Sequence, residues 1–123
     1  METKKDYSNY VVDIHGRQYM AVAGRIAMFW DDVVVLDSLC AASRVEASIT
    51  SEVTQNGSTV LVKATVRVAS RLATGHASEV IGTSNINKTS ALENAETSAI
   101  GRALGNLGYG LLEAGGVASA DEV

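Results

Sequence analysis

KTSALENAETSAIGRALGNLGYG (residues 88–110) is the stretch around which the rest of the chain must be arranged. Ser90 and Glu93 have the spacing of a capping box, in which the serine hydroxyl accepts the Glu93 backbone N–H and the Glu93 carboxylate reaches back to the Ser90 N–H. A helix is expected to start there. It is expected to stop where Asn106, Gly108 and Gly110 cluster, since glycine supplies the left-handed residue that commonly ends helices. That leaves about eighteen residues, or roughly 27 Å of helix.

At 100° per residue the helix has two distinct sides. Leu92, Ala95, Ala99, Ile100, Ala103, Leu104 and Leu107 form a wide apolar arc that must meet a core, and Glu96 falls inside it. Asn94, Ser98, Gly101 and Gly105 form a small side to which another backbone could come close. Glycine costs about 1 kcal/mol relative to alanine inside a helix, so two of them on one side carry information. Either the helix packs on both sides within its own chain, or the small side meets a neighbouring subunit. The second choice places Ser98, Gly101 and Gly105 at an oligomer interface.

The core this helix needs is a sheet. Arg44 to Thr54 and Ser58 to Ala69 each alternate in polarity, with Asn56-Gly57, the strongest short hairpin signal, nearly between them. Pairing Gln55 with Ser58 puts Val53 opposite Val60, Ile49 opposite Ala64, Ala47 opposite Val66 and Val45 opposite Val68 on the core face. The other face then pairs Thr50 with Lys63, Ser48 with Thr65 and Glu46 with Arg67, and extends towards Arg71. A third strand, Leu72 to Gly82, returns through the Ser70-Arg71 corner, and Thr83 to Asn87 link it to the helix. Upstream, Tyr10 to Ile14 and Arg17 to Met20 read as short strands around a His15-Gly16 turn. Ala21 to Trp30 reads as a helix that ends at Asp31-Asp32, because the macrodipole disfavours negative charge at a C-terminus. Phe29 and Trp30 are assigned to the core. Val33 to Leu36 is β-branched and reads as a strand or an extended connection.

The expected fold is therefore α+β: an antiparallel β-meander of three main strands plus short N-terminal strands, packed against a long C-terminal helix and a shorter N-terminal helix. At 123 residues the chain is one domain. The reading divides it into a flexible arm (1–9), the folded domain (10–113) and a flexible tail (114–123).

Composition narrows the function classes. The single cysteine, Cys40, has no partner for an internal disulfide, no signal-peptide pattern opens the sequence, and no apolar run is long enough to span a bilayer. A cytoplasmic setting is expected. There is no G-x-S-x-G, no P-loop and no metal-ligand cluster, so neither enzyme activity nor a metal or cofactor is expected. The net charge of −4 argues against nucleic-acid binding at the level of the whole chain, although acids gather partly at the two ends.

ALENAETSAIGRALGNLGYG closely resembles the signature helix of phage and bacterial single-strand annealing proteins, relatives of the eukaryotic recombination mediator that anneals single-stranded DNA. GRQYMAVAGRIAMFWDD resembles the same group's first strand and helix, and RLATGHASE its last sheet strand. Together they cover most of residues 14 to 110. The resemblance implies ATP-independent annealing of complementary strands in phage or bacterial recombination and DNA repair, by a ring or helical filament in the bacterial cytoplasm. A phage exonuclease or the host single-strand binding protein is an implied partner. The rival is a structural or regulatory oligomer of the same fold without annealing activity.

Candidate DNA contacts are Lys63, Arg67 and Arg71 on the outer sheet face, followed by Arg17, Lys88 and Arg102. Alternate strand residues lie roughly 6.6 to 6.8 Å apart, so the first three form a row that can follow a phosphate backbone. Tyr19 and Tyr109 are candidates for stacking on bases. If Glu96 is buried it needs a partner, because an unpaired buried carboxylate is expensive, and Arg25 is the candidate for an ion pair.

Overall fold

A computed structural model describes residues 6–40, 44–82, 85–112 and 117–122, and side chains throughout except at 85–89. After a 3-10 turn at Ser8–Tyr10 come β1 (Val11–Ile14), β2 (Arg17–Met20), α1 (Val22–Leu39), β3 (Ala47–Asn56), β4 (Thr59–Val68), β5 (Arg71–Val80) and α2 (Asn85–Asn106). A second 3-10 turn, Ala120–Glu122, closes the order. β1 and β2 form a two-stranded hairpin, and β3, β4 and β5 form a separate antiparallel meander in sequence order. The α+β arrangement expected from the sequence is the one found. Among the described residues no helix is long and apolar enough to cross a membrane.

Three details of the elements differ from the expectation. The meander turn is Gly57-Ser58, with Gly57 at φ +61°, so Asn56 pairs with Thr59. Glycine at the first central position is what a type II′ turn asks for, and it relieves Asn56 of the left-handed conformation a type I′ turn would demand. Every β3 residue consequently meets a β4 residue two further on than expected: Ala47 opposite Val68, Ile49 opposite Val66 and Val53 opposite Val62. A slip of two preserves which face each side chain takes. Val60, Val62, Ala64, Val66 and Val68 are accordingly all buried.

Secondly, α1 runs through Asp31 and Asp32 to Leu39, so Val33 to Leu36 is helix and not strand. The two carboxylates sit mid-helix and accept hydrogen bonds from Tyr7 and Tyr109 hydroxyls. Ile26, Phe29, Val33 and Leu36 continue one apolar stripe into the core. Phe29 is fully buried, whereas Trp30, one step around the helix, is 43% exposed.

Thirdly, α2 begins at Asn85, upstream of the expected cap, and breaks at Ser90, whose φ −133° and ψ 19° are not helical. The helix lies across β4 and β5 and barely meets β3. Its sheet-facing side is an alanine ladder, Ala91, Ala95, Ala99 and Ala103, all buried. A Cβ on Gly75 of β5 would sit 2.5 Å from the Ala99 carbonyl oxygen, so helix and strand backbones touch there. Leu92, expected in the core arc, is 47% exposed, next to buried Ala91 on the helix.

The stretch 117–122, expected to be loose, is docked. Buried Arg25 donates to the carbonyls of Gly101 (2.7 Å), Val117 (2.7 Å) and Ala118 (3.2 Å). Asp121 accepts the Val22 N–H at 2.8 Å, capping α1, whose own N-cap residue Ala21 offers no side-chain bond. Glu122 takes Arg102 and the Ser119 N–H. In the expected N-terminal arm, residues 7–10 are likewise held, by the Tyr7–Asp31 bond and the 3-10 turn. The expected linker positions 83–84, arm residues 1–5 and tail residues 114–116 and 123 lie outside the described residues.

Candidate nucleic-acid interface

Both helices pack on one face of the meander, and the other face is open. Across that open face the strands present five rows, read from β3 through β4 to β5. They are Ser48, Arg67, Leu72; Thr50, Thr65, Thr74; Glu52, Lys63, His76; Thr54, Leu61, Ser78; and Asn56, Thr59, Val80. The surface is rich in hydroxyls. Lys63 and Arg67 are its two permanent cations, four residues apart on the central strand and so separated by about 13 Å. Neither makes an ion pair with another described residue. Glu52 is the one acid at these strand positions, with Glu46 at the margin, opposite Ala69.

The acids that make the whole chain negative lie largely elsewhere. Asp31 and Asp32 hold tyrosines on the helix side, Asp13 takes the Gly16 N–H in the hairpin turn, Asp37 takes the Val45 N–H, and Asp121 and Glu122 secure the 117–122 stretch. The sheet face is thus locally less acidic than the composition.

The register changes which cation is opposed. Lys63 faces Glu52 directly, where the sequence put Thr50, and Arg67 faces Ser48, where the sequence put Glu46. Arg71 leaves the row altogether. It pairs with buried Val68 and so belongs to the helix-side face, where its guanidinium donates to the Leu107 carbonyl at 2.7 Å and closes the end of α2. The tight Ala69-Ser70 turn, with Ala69 at φ +55°, is what returns Arg71 to that face.

The remaining candidates are dispersed. Arg17 is exposed at the hairpin, opposite Ile14 and away from the meander. Arg102 is bound to Glu122 at 2.6 Å. The side chain of Lys88 lies outside the described residues. Tyr19 is half-buried opposite Val12 in the hairpin. Tyr109 packs edge-to-face on Phe29 at 5.6 Å and donates to Asp32, so ring and hydroxyl are both engaged on the helix side. Burial first, and then the Asp32 hydrogen bond and charge, push its hydroxyl well above the ordinary tyrosine range.

The expected Arg25–Glu96 ion pair is absent. Arg25 spends its donors on the three carbonyls, while Glu96 accepts the Ser51 hydroxyl at 2.7 Å at the β3 edge. The expected subunit interface is also corrected for its two glycines. A Cβ on Gly101 would lie 2.6 Å from Val22 Cγ2, and one on Gly105 2.8 Å from an Arg25 terminal nitrogen. Both are buried by the chain's own α1 and 117–119 stretch. Ser98 is half-buried and lines a cleft of about 590 Å³ beside β5, shared with His76, Thr97, Arg102, Asp121 and Glu122. Among the described residues no group of three or more His, Cys, Asp or Glu could hold a metal ion.

His76 and Thr74 also stand on the open face, beside Lys63 and in line with Thr50 and Thr65, and were not singled out from the sequence. The signal was present in RLATGHASEV, where small Ala73, Gly75 and Ala77 alternate with Thr74, His76 and Ser78. Small residues on alternate positions mark the side that a helix backbone approaches, and so assign the others to the open face.

A helix, a three-stranded meander and a second helix, with both helices on one face of the sheet, define a small α+β module with a free β surface. The chain belongs to the family described as Slr1353 N-terminal dsRNA-binding domain-like, whose model matches residues 41–107, the stretch that includes the meander and α2. Comparison with curated proteins and with solved structures gave no match.

Proposed function

We propose that this protein binds single-stranded DNA through the open face of its meander, assembles as an oligomer, and promotes annealing of complementary strands in phage or bacterial recombination without ATP. The observation that carries this reading is the face itself: hydroxyls in four of its five rows, Lys63 and Arg67 on its midline, and no helix covering it. The face holds no Phe, Tyr or Trp, so it suits the backbone of a strand better than its bases. The resemblance of α2 to the annealing-protein helix supports the choice of ligand. The family description supports nucleic acid in general, and because its words name double-stranded RNA, that is the second reading.

Fluorescence anisotropy with labelled single-stranded DNA and double-stranded RNA over a salt series separates the two, and an annealing assay with complementary strands completes the test. Single-stranded DNA should bind with little sequence preference, log K falling by about 0.7 per neutralised phosphate for each tenfold rise in salt. Arg67→Ala should flatten that slope more than Lys63→Ala, because Glu52 already opposes Lys63. Preference for the RNA duplex would replace the annealing reading by the second one. Binding of neither at low salt would leave a structural oligomer of this fold.

A further inference from the structure

His76 stands directly opposite Lys63 across β4 and β5, and Glu52 stands opposite Lys63 on β3. The Ile81 N–H donates to the Ser58 carbonyl, which fixes the parity of the β4–β5 ladder. Pairs such as Val60 with Glu79 and Ala64 with Gly75 are hydrogen-bonded, and Lys63 with His76 is a non-hydrogen-bonded pair. In such pairs the Cα atoms are only about 4.5 Å apart and the side chains lean closest. Lysine and histidine thus share one small area of the open face, both exposed. A phosphate group that reaches Lys63 there also reaches the imidazole.

We propose that His76 is a second phosphate contact beside Lys63, and that it makes nucleic-acid binding depend on protons. This rests on the nucleic-acid reading of the open face. Histidine changes charge between about pH 5 and 8, so the pair offers one cation at the upper end of that range and two at the lower. Every charged group that faces His76 fits into this account. Lys63 is its direct cross-strand neighbour, and a phosphate bound between the two is attracted by the charged imidazole. Glu52 lies one strand further away, beyond Lys63. On the cleft side stand Glu79, Asp121 and Glu122, with Arg102 already engaged by Glu122. Binding of phosphate and uptake of a proton therefore reinforce each other, and affinity rises as pH falls.

The chain has only two histidines, which makes the test clean. His15 sits at the tip of the β1–β2 turn at φ +52°, a conformation asparagine also accepts, so His15→Asn is the control. Anisotropy with labelled single-stranded DNA at about 50 mM salt should show the full chain binding roughly five- to tenfold more tightly at pH 5.5 than at pH 8. That is the contribution of one additional counterion released per complex at this salt. The salt slope should steepen by about 0.7 over the same interval. His15→Asn should keep both changes, His76→Gln should lose both, and His76→Lys should bind tightly at either pH. If His76→Gln follows the same pH profile as the parent chain, the His76 assignment is wrong and the nucleic-acid reading stands. If the parent chain binds no nucleic acid at any pH, both fall together.

Discussion

Arg25 donates to carbonyls on α2 and on the 117–118 stretch from a position that is 1% exposed. Burial pushes its guanidinium below the ordinary arginine value, and Glu122 and Asp121 partly restore it. Arg25→Ala should cost about 3 kcal/mol or more, because it leaves several buried acceptors without a donor. Glu96→Ala removes only a bond to Ser51 at an exposed edge and should cost less than about 1 kcal/mol. Urea denaturation of the two single variants and the double should show no coupling, and a coupling above about 1 kcal/mol would reinstate the ion pair. Tyr109 makes a pH prediction. Its raised value keeps the folded hydroxyl protonated where the unfolded one ionises, so the folded state binds more protons above about pH 10. That contribution is complete below about pH 10 and is lost as pH rises towards the folded value. Tyr109→Phe should make the alkaline fall in stability shallower, and an unchanged alkaline limb would show that the hydroxyl is not buried in this way.

At the scale of elements, Gly101 is a point of contact between α2 and α1. Any side chain there meets Val22 first and Ser119 next. Gly101→Leu should therefore lower the thermal midpoint sharply, since overpacking costs roughly 1 to 3 kcal/mol or more. A folded, equally stable variant that merely fails to assemble would return the glycine to a subunit interface. How far each element was legible follows from where its partners lie in sequence. α2 and the three long strands were readable because periodicity and turn chemistry are local. The length of α1 was not, because Asp31 and Asp32 look like a helix end until Tyr7 and Tyr109, from far away in the chain, are placed beside them. The small side of α2 left two choices open, and the packing of α1 and of residues 117–119 against it decides between them.

For the whole molecule, the free strand edges are where copies can join. The Ala69 N–H donates to the Glu46 carbonyl, so the even-numbered residues of β3 pair with β4, and Ile49, Ser51 and Val53 turn their backbone groups outwards. On β5 the outward groups include those of His76 and Ser78. Pairing β3 of one copy with β5 of the next is a head-to-tail contact, which generates a ring or a filament. Val53→Pro deletes an outward N–H without touching the β3–β4 ladder and should shift the native mass to smaller species while the far-UV spectrum is kept. An unchanged assembly would show that copies join elsewhere. The open face was legible in the alternation of β3 and β4, which assigned Lys63 and Arg67 correctly to it. Which residue opposes which was not, since a Gly57-Ser58 turn moves every partner by two without disturbing the pattern of faces. Arg71 was misplaced for a related reason, because one left-handed alanine decides on which side the third strand begins.

The bond from Asp121 to the first turn of α1 spans 99 residues of sequence. During synthesis, α1 leaves the ribosome long before its cap exists, and Arg25 emerges without any of the three carbonyls that later surround it. The meander and α2 can form around locally encoded turns and receive the apolar stripe of α1, but the Val22 N–H and the Arg25 guanidinium gain their partners at 117–121 only once residue 121 has been made. Closing so long a loop is slow compared with forming a hairpin. The nascent chain therefore has an interval in which its sheet can be complete while the first turn of α1 is still uncapped and Arg25 lacks two of its acceptors.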